Sequence, residues 1–567
     1  MRRLFPCALL LILALGVRGT PVQTASRPPV RGEHAMVAST NPLASEVGIE
    51  ILKRGGNAVD AAVAVGFALA VVEPEAGNIG GGGFLVYHEA ASGRDFTIDY
   101  RETAPTRAHR DMYLDEDGEV VPDLSTIGHL SAGVPGTVAG LLLALEKHGR
   151  LARDTVLQPA IRLAEEGFSV SHELVESLEE NASLLSRFPE SRRIFLRNGN
   201  HFQEGEILVQ RDLGATLGFI AEDGAPAFYQ GRVAELLVEE IRRGEGFITR
   251  EDLKSYRAVE RQPLLGTYRG HTVVSMGPPS SGGIVLIEML NMVEPEDLAY
   301  LGLNSSAYLH LLSEVMKRAY ADRAHYLGDA DFSPVPFRGL ISKAYAERRR
   351  AGINPNRATL ASELGPGDPF PYEAGETTHF SVVDREGNAV STSYTLNGAY
   401  GSGVTVPGAG FLLNNEMDDF SSKPGTPNQY QLIQGEANSI EAGKRPLSAM
   451  TPTIVLKDGR VLLVTGSPGG PRIINTVFQI ILNVIDHGLN VQEAVDAPRF
   501  HHQWLPDVLL FERHGLVRDV GEALRAKGHT LAERTSMGDA HTIYVDPGTG
   551  MRLGAGDPRQ EGSAVGY

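Results

Sequence analysis

Apolar residues recur at helical spacing through most of the chain before residue 377. In residues 306–323 the recurring positions include Leu312, Val315, Met316 and Ala319, which predicts one long helix. The same spacing predicts helices over residues 44–54, 57–72, 132–167, 169–185 and 232–243. The second of these is rich in Ala and Val, so we expect it to be buried on all sides.

β-Branched and alternating runs become frequent after residue 377. An Asp458-Gly459 turn between residues 453–457 and 460–465 predicts a hairpin. Residues 508–512 and 541–545 predict two further strands, and residues 471–486 predict a helix that begins at Pro471. The pattern indicates mixed layers of helices and strands, with helices dominating the earlier part.

A glycine-rich run, residues 77–83, separates an early helix from two predicted strands, residues 84–88 and 96–100. The run lacks the Lys-Ser/Thr pair of a phosphate-binding loop, and the order of elements is not that of a βαβ unit. We therefore interpret these glycines as a place where two backbone segments approach closely.

The bulk composition is that of a globular protein, with 42% hydrophobic and 22% charged residues among 567. The formal net charge of −18 argues against nucleic acid or an anionic membrane as the main partner, because both require a basic surface. Solubility is the simpler explanation of this charge.

The first 19 residues have the organisation of an export signal. Met1-Arg2-Arg3 is a short positive segment, and residues 7–17 form an apolar run too short to span a bilayer. With cleavage before Thr20, we expect an exported, periplasmic or secreted protein without a stable membrane anchor. Because Cys7 is the single cysteine, the mature chain has no disulfide, cysteine nucleophile or cysteine-ligated zinc.

Several motif fragments lack the chemistry that they suggest. His109-Arg110-Asp111 is not followed by the asparagine of a kinase catalytic loop. Asp115-Glu116-Asp117-Gly118 is too short for a calcium loop and predicts an acidic turn. His501-His502 lacks metal-ligand spacing and is interpreted as a structural pair. Since the chain also has no Gly-x-Ser-x-Gly elbow, few candidate nucleophiles remain.

Glu376-Thr377-Thr378 follows a Gly/Pro-rich acidic segment, residues 364–375, that is typical of an exposed loop. If the chain is cut before Thr377, the new α-amine has a pKa near ~7.7–8.0 and can accept the proton of the threonine hydroxyl. The ordinary alternative is a threonine pair at the start of a strand. Spacing alone does not choose between Thr377 and Thr378.

Nine motifs occur in order along nearly the whole mature chain, at residues 78–83, 99–105, 276–283, 377–379, 395–397, 414–420, 444–448, 466–470 and 557–559. Together they resemble the γ-glutamyltranspeptidases, which are N-terminal-nucleophile hydrolases. The resemblance implies an α+β fold, a four-layer αββα sandwich with one core shared by two segments. It implies neither a metal nor a cofactor.

The resemblance also implies that the precursor cuts itself between Glu376 and Thr377. The products are a large segment, residues 20–376, and a small catalytic segment, residues 377–567, which stay together as a heterodimer. Thr377 becomes the nucleophile, and Thr395 hydrogen-bonds its hydroxyl. Taken alone, Thr395 is an ordinary strand residue.

The resemblance makes Gly469 and Gly470 the oxyanion hole. The residues themselves allow two interpretations, because two glycines before a helix suit either a simple turn or backbone N–H groups aimed at negative charge.

A γ-glutamyl group carries a free α-amine and a free α-carboxylate, so its binding site must hold both charges. The resemblance implies that the carboxylate is bound by Arg101 and Ser448. It implies that the ammonium is bound by Glu416, Asp419 and Asn397, and that Tyr430 belongs to a lid over the site. Without the resemblance, the charged residues would be taken for ordinary surface ion pairs.

Ala449 departs from the family pattern, in which a second serine follows the first. One hydroxyl donor to the carboxylate is therefore lost. A hydrogen bond to a charged group contributes about 1.5–3 kcal/mol, so the loss bears directly on substrate affinity.

The leading hypothesis is an exported γ-glutamyltransferase and glutathione hydrolase that passes the acyl group to water or to the amine of an amino acid or peptide.

The nearest alternative is an acylase of the same family that acts on glutaryl-type cephalosporin side chains. Glu416 and Asp419 argue against it, since a glutaryl group has no ammonium, whereas Ala449 keeps it open. A non-catalytic exported binding protein is the second alternative, and the complete nucleophile and oxyanion motifs argue against it.

Overall fold

The computed structural model describes residues 26–372 and 383–567, which form a mixed α/β structure. Its helices are α1 (Pro42–Lys53), α2 (Ala58–Val72), α3 (Thr137–His148), α4 (Arg153–Glu166), α5 (His172–Glu180), α6 (Ala182–Leu185), α7 (Pro189–Phe195), α8 (Arg211–Asp223), α9 (Ala225–Tyr229), α10 (Arg232–Arg243), α11 (Arg250–Ser255), α12 (Gly282–Val293), α13 (Leu298–Leu301), α14 (Ser306–Tyr326), α15 (Phe337–Leu340), α16 (Lys343–Ala351), α17 (Arg472–Ile485), α18 (Val491–Asp496) and α19 (Arg518–Ala526). Within these ranges, no helix combines the length and the apolar content needed to cross a membrane. The predicted export signal, residues 1–19, lies outside them.

The strands fall on both sides of the undescribed stretch. They are β1 (Val30–Gly32), β2 (Met36–Ser39), β3 (Gly82–Glu89), β4 (Arg94–Asp99), β5 (Phe168–Ser169), β6 (Ile207–Leu208), β7 (Val259–Arg261), β8 (Leu264–Tyr268), β9 (His271–Ser275), β10 (Ala389–Thr395), β11 (Thr453–Lys457), β12 (Arg460–Thr465), β13 (Phe500–His501), β14 (Leu509–Glu512), β15 (Leu531–Arg534), β16 (Thr542–Val545), β17 (Arg552–Ala555) and β18 (Ser563–Gly566).

The two larger sheets each combine strands from the two parts of the chain. One has seven strands in the order β1-β17-β16-β12-β11-β9-β8, and the other has four in the order β10-β3-β4-β7. In the smaller sheet, β10 pairs antiparallel with β3, so that Thr395 lies opposite Gly82. Neither part of the chain could complete either sheet alone, because each sheet needs hydrogen-bonding partners from both.

Helices cover both sheets. Helix α2 packs against β10 and α3 packs against β3, while α12 packs against β8 and β9 and α18 against β16 and β17. Strand β10 also contacts β12 of the larger sheet. The strand end that carries Thr395 therefore belongs to an element held by neighbours on several sides.

The early helices form where the sequence predicts them. Asn41 caps α1 by accepting a hydrogen bond from the Leu43 N–H, and Asn57 forms a capping box with Asp60 at the start of α2. Every residue of α2 is buried, as its Ala/Val composition predicts. Helices α10, α14 and α17 are likewise confirmed within a few residues of their predicted limits.

The predicted hairpin is confirmed as β11 and β12. Asp458 and Gly459 both have positive φ, at 51° and 73°, which is the conformation that this type of two-residue turn requires. The strands predicted over residues 84–88, 96–100, 508–512 and 541–545 correspond to β3, β4, β14 and β16.

Two long helical predictions are wrong in extent. Residues 132–167 form two helices, α3 and α4, because the chain becomes extended at Gly149. Residues 169–185 form α5 and α6, which meet at Asn181. Strands β7, β8 and β9 were not predicted, since their alternation of apolar and polar residues is too short to stand out.

The glycine run before β3 provides the predicted close approach of two backbone segments. A Cβ on Gly80 would lie 2.0 Å from the Leu412 carbonyl oxygen, and a Cβ on Gly81 would lie 2.0 Å from the Thr395 carbonyl oxygen. A side chain at position 81 would push the strand end that carries Thr395 away from the loop, and one at position 80 would displace the backbone at Leu412.

Gly81→Ala is therefore expected to lower the free energy of unfolding by more than about 3 kcal/mol, since the clash is with backbone. Urea denaturation of the two proteins measures the difference. Gly218→Ala in α8 is the matched control, because a Cβ there meets no atom within 4 Å. It should raise stability by about 0.5–1 kcal/mol. Equal stability of Gly81→Ala and the native chain would contradict the close approach.

Candidate active site

One cavity of about 400 Å³ brings together most of the site residues predicted from sequence. Those that line it are Arg101, Thr395, Asn397, Asp419, Tyr430, Ser448, Gly469 and Gly470, together with Ala449. Glu416 lies behind this surface and is fully buried. Glu376 and Thr377 lie outside the described residues.

Arg101 follows β4 and is the centre of a buried charge cluster. Its Nη1 lies 2.6 Å from Glu416 Oε1, and its Nη2 lies 2.5 Å from Asp419 Oδ2. Glu102 Oε2 is a third, more distant partner at 3.5 Å, and Nε donates to the Pro446 carbonyl at 3.2 Å. The guanidinium is thereby neutralised by carboxylates from a distant part of the chain, as a buried charge requires.

The cluster has more carboxyl groups than cations. Burial raises the pKa of Glu102 to about 7, although Arg101 opposes the shift. Burial also raises the pKa values of Glu416 and Asp419, again against the attraction of Arg101. In the described ranges, Oε1 of Glu102 and Oε2 of Glu416 accept no hydrogen bond. A cation that binds near Asp419 would favour the ionised form of these carboxyl groups.

Asp419 is the carboxylate that faces the cavity. Its side chain is 15% exposed, whereas that of Glu416 is 0% exposed. Both belong to one 3₁₀ turn, Glu416–Asp419, which directs neighbouring carboxylates to different sides of Arg101. Of the two carboxylates predicted to bind the ammonium, Asp419 lines the cavity, whereas Glu416 contacts Arg101 behind it.

The segment that carries Ser448 is fixed by buried polar contacts. Arg445 pairs with Asp99 at 3.1 Å and donates to the Arg257 carbonyl at 2.8 Å. Ser448 Oγ accepts the N–H of Met450 at 3.1 Å. The position after Ser448 offers only the methyl group of Ala449 to the cavity.

Thr395, Asn397 and Tyr430 form a connected rim. Thr395 Oγ1 accepts the Asn397 N–H at 2.8 Å, and the Tyr430 hydroxyl donates to the Asn397 carbonyl at 2.5 Å. The amide nitrogen of Asn397 donates to the Asn415 carbonyl at 3.0 Å, which leaves its amide oxygen as an acceptor at the cavity. Tyr430 also lies beside Gly470, where an added Cβ would be 3.0 Å from Cδ1 of the Tyr430 ring.

Gly469 and Gly470 have φ values of 128° and 57°, a backbone conformation that glycine adopts most readily. They stand directly before Pro471 and α17. Within the part of the chain that the structure describes, neither of their N–H groups donates a hydrogen bond. Two free donors beside a helix N-terminus form a site suited to negative charge.

The site predicted from sequence lacks four charged residues and one histidine that line the cavity: Glu73, Glu75, Arg323, Arg472 and His541. Arg323 lies in the predicted helix over residues 306–323, where nothing in the apolar spacing separates a ligand-facing charge from a solvated one. The two histidines interpreted as structural are buried, and their rings bond to protein partners, His501 to Asn475 and Gln503 and His502 to Asp507.

Comparison with known proteins places this arrangement in a family. The family model described as gamma-glutamyltranspeptidase matches residues 44–567. The glutathione hydrolase proenzyme of Escherichia coli (strain K12) is 50% identical over 532 residues, which cover 94% of this chain and 91% of that protein. The chain therefore belongs to the gamma-glutamyltranspeptidase family.

Two solved structures resemble this one. A cephalosporin acylase from Bacillus halodurans has a TM-score of 0.86 at 28% identity, covering 98% of this chain and 99% of its own. The gamma-glutamyltranspeptidase of Helicobacter pylori has a TM-score of 0.58 at 46% identity, covering 62% of this chain and 99% of its own. Both support a mixed α/β fold shared across the family.

The raised pKa of Glu102 predicts a pH-dependent stability. The folded protein keeps this proton up to a pH of about 7, whereas the unfolded chain releases it near 4.5, so stability falls as pH rises through this window. Glu102→Gln removes this contribution, which amounts to roughly 3 kcal/mol. Urea denaturation at pH 5 and pH 8 measures the slope of the free energy of unfolding against pH. Glu347→Gln, at an exposed position in α16, should keep the native slope, and a native slope in Glu102→Gln would exclude Glu102 as its source.

Proposed function

We propose that the protein is a γ-glutamyltransferase and glutathione hydrolase with an N-terminal threonine nucleophile. The observation that carries the proposal is a single cavity lined by Arg101 and Asp419, a cation and an anion, and by the two free N–H groups of Gly469 and Gly470. A γ-glutamyl amide has the complementary groups: an α-carboxylate, an α-ammonium and a carbonyl oxygen that becomes negative during acyl transfer.

Maturation in this proposal is a self-cleavage between Glu376 and Thr377. The hydroxyl oxygen of Thr377 attacks the Glu376 carbonyl, and the acyl group moves from nitrogen to oxygen. Water then hydrolyses the ester, which restores the hydroxyl and leaves a free α-amine on Thr377. The large segment, residues 20–376, and the small segment, residues 377–567, remain associated as a heterodimer.

The position of the described chain end supports Thr377 as the nucleophile. Val383 forms a β-bridge with Met36, and the residues that follow Met36 line the cavity. Thr377 precedes Val383 by six residues, a stretch that spans up to about 20 Å when extended. This length of chain is compatible with a nucleophile at Thr377 that acts in the cavity.

In the catalytic step, Thr377 Oγ attacks the γ-carbonyl carbon while its own α-amine accepts the hydroxyl proton. The N–H groups of Gly469 and Gly470 stabilise the oxyanion, and Thr395 holds the nucleophilic hydroxyl. The C–N bond then breaks, and the proton moves to the departing amine. Water, or the amine of an amino acid or peptide, attacks the resulting γ-glutamyl ester and releases the enzyme.

The two charges of the substrate are received by Arg101 and Asp419, which form an ion pair with each other. Arg101 has five N–H groups, and contacts with described residues account for four of them, so one remains for the α-carboxylate. Ser448 contacts the same carboxylate. Asp419 and the amide oxygen of Asn397 accept the α-ammonium, and Tyr430 closes the site above them.

Three further features belong to this proposal. The contacts of α2 and α3 with the smaller sheet, of α12 and α18 with the larger sheet, and of β10 with β12 support a four-layer αββα sandwich. The interleaved strands support a heterodimer that survives cleavage. The signal-like residues 1–19 support export to the periplasm or beyond.

The acylase alternative draws on the structural similarity to a cephalosporin acylase and on Ala449. A glutaryl side chain lacks the α-ammonium, so an acylase of that kind has no use for a carboxylate at the ammonium position. Asp419 faces the cavity at that position, which favours γ-glutamyl substrates.

Thr377→Ala is expected to leave the mature protein as one chain, because the attacking oxygen is absent. The native protein should separate on a denaturing gel into two fragments, the smaller beginning Thr377-Thr378-His379 by N-terminal sequencing. Thr378→Ala is the matched control and should still be cut before Thr377. A cleaved Thr377→Ala protein, or an intact native one, would rule out self-cleavage by Thr377.

Asp419→Asn is expected to lower kcat/KM for a γ-glutamyl anilide by about 100-fold, because the α-ammonium loses its counter-charge. Turnover of a glutaryl anilide should not fall. Asp418→Asn is the matched control, since Asp418 bonds to Ser125 and the Gln429 N–H rather than lining the cavity. It should keep the native preference between the two anilides. An unchanged preference in Asp419→Asn would overturn the assignment of the ammonium site.

A further inference from the structure

Arg323 in α14 is a buried arginine that forms no ion pair with a described residue. It is 2% exposed, and it lines the same cavity as Arg101 and Asp419. Its Nε donates to the Ser281 hydroxyl at 2.9 Å. Among residues 26–372 and 383–567, its Nη1 has no hydrogen-bond partner, and no carboxylate forms an ion pair with it.

The other buried arginines are compensated. Arg101, Arg318, Arg445 and Arg499 each pair with a carboxylate, and Arg552 donates to four backbone carbonyls. Arg323 differs from all of them in having one neutral hydroxyl as its contact. Leaving a buried charge unpaired costs several kcal/mol, which makes a purely structural role for Arg323 improbable on energetic grounds.

The position of Arg323 connects it to the carboxylate end of the cavity. Ser281, which accepts its Nε–H, donates its own hydroxyl to the Ser448 carbonyl at 2.6 Å and its N–H to the same oxygen at 2.8 Å. Ser448 is followed by Ala449, where a hydroxyl is absent. Asp419 is near enough that its charge partly offsets the lowering of the Arg323 pKa by burial.

We propose that Arg323 is a second receptor for the α-carboxylate of the γ-glutamyl substrate and supplies the donor that Ala449 lacks. This inference rests on the proposed function. The substrate carboxylate lies between two guanidinium groups, Arg101 on one side and Arg323 on the other. Its negative charge neutralises Arg323, so binding energy is gained from a charge that is uncompensated in the free enzyme.

The test compares two anilides on the mature native enzyme and on Arg323→Met. One substrate is γ-glutamyl-p-nitroanilide, and the other is 4-aminobutyryl-p-nitroanilide, which keeps the ammonium but lacks the α-carboxylate. Arg323→Met should raise KM and lower kcat/KM for the first substrate by about 10- to 100-fold. For the second substrate kcat/KM should change by less than about twofold.

Thermal unfolding provides a second measurement, because a structural role for Arg323 predicts a lower Tm for Arg323→Met and the proposed role does not. Removing an uncompensated buried charge should leave the Tm of Arg323→Met unchanged or higher. Arg318→Met is the matched control on the same helix, because Arg318 pairs with Glu314 at 2.8 Å and donates to the Gly352 carbonyl. It should lower Tm and leave the ratio of the two substrates unchanged.

Each result decides one point. Equal losses on both anilides, or a lowered Tm with no change in the ratio, would overturn the role of Arg323 in binding the carboxylate. A native enzyme inactive on γ-glutamyl-p-nitroanilide would instead refute the proposed function itself. Arg323→Lys keeps the positive charge and should show an intermediate loss, and it serves for the same comparison if Arg323→Met does not fold.

Discussion

The pairing of Arg101 with Glu416 and Asp419 fixes the geometry on which the site depends. A guanidinium with no exposed surface must find its counter-charges inside the protein, and here they come from a turn more than 300 residues further along the chain. The pair brings the end of β4, the 3₁₀ turn Glu416–Asp419 and the segment before Ser448 into contact. Because burial raises the pKa values of Glu102 and Glu416, the excess carboxyl groups of the cluster are stabilised in their protonated form.

The sheets impose the second constraint. Strand β10 lies beside β3, and the glycines before β3 allow the Thr395 carbonyl to approach the backbone more closely than any side chain would permit. Strand β12 contacts β10 from the other sheet and leads to Gly469 and Gly470. The oxyanion donors and the hydroxyl of Thr395 are thus held by strands that pair across the proposed cleavage point.

The cavity itself is electrostatically uneven. It presents the carboxylate of Asp419 and the guanidinium of Arg323, whose positive charge is unpaired among the described residues. A ligand that carries both an ammonium and a carboxylate can pair with both of these groups, whereas a glutaryl group or a simple amine can pair with only one of them. Specificity of this kind follows from buried groups that are left unsatisfied by the wrong ligand.

The sequence by itself determined the local features: the caps of α1 and α2, the Asp458-Gly459 turn, the need for glycine near residue 81, and the chemical types at the site. These depend on neighbours within a few residues, so their signals are present in the chain. It did not determine the break at Gly149, the short strands β7 to β9, which carboxylate faces the cavity, or the isolation of Arg323. The helix break and the short strands leave only weak local signals in the chain. Which carboxylate faces the cavity and which arginine lacks a partner depend on residues far apart in the chain, and only the tertiary structure brings such residues together.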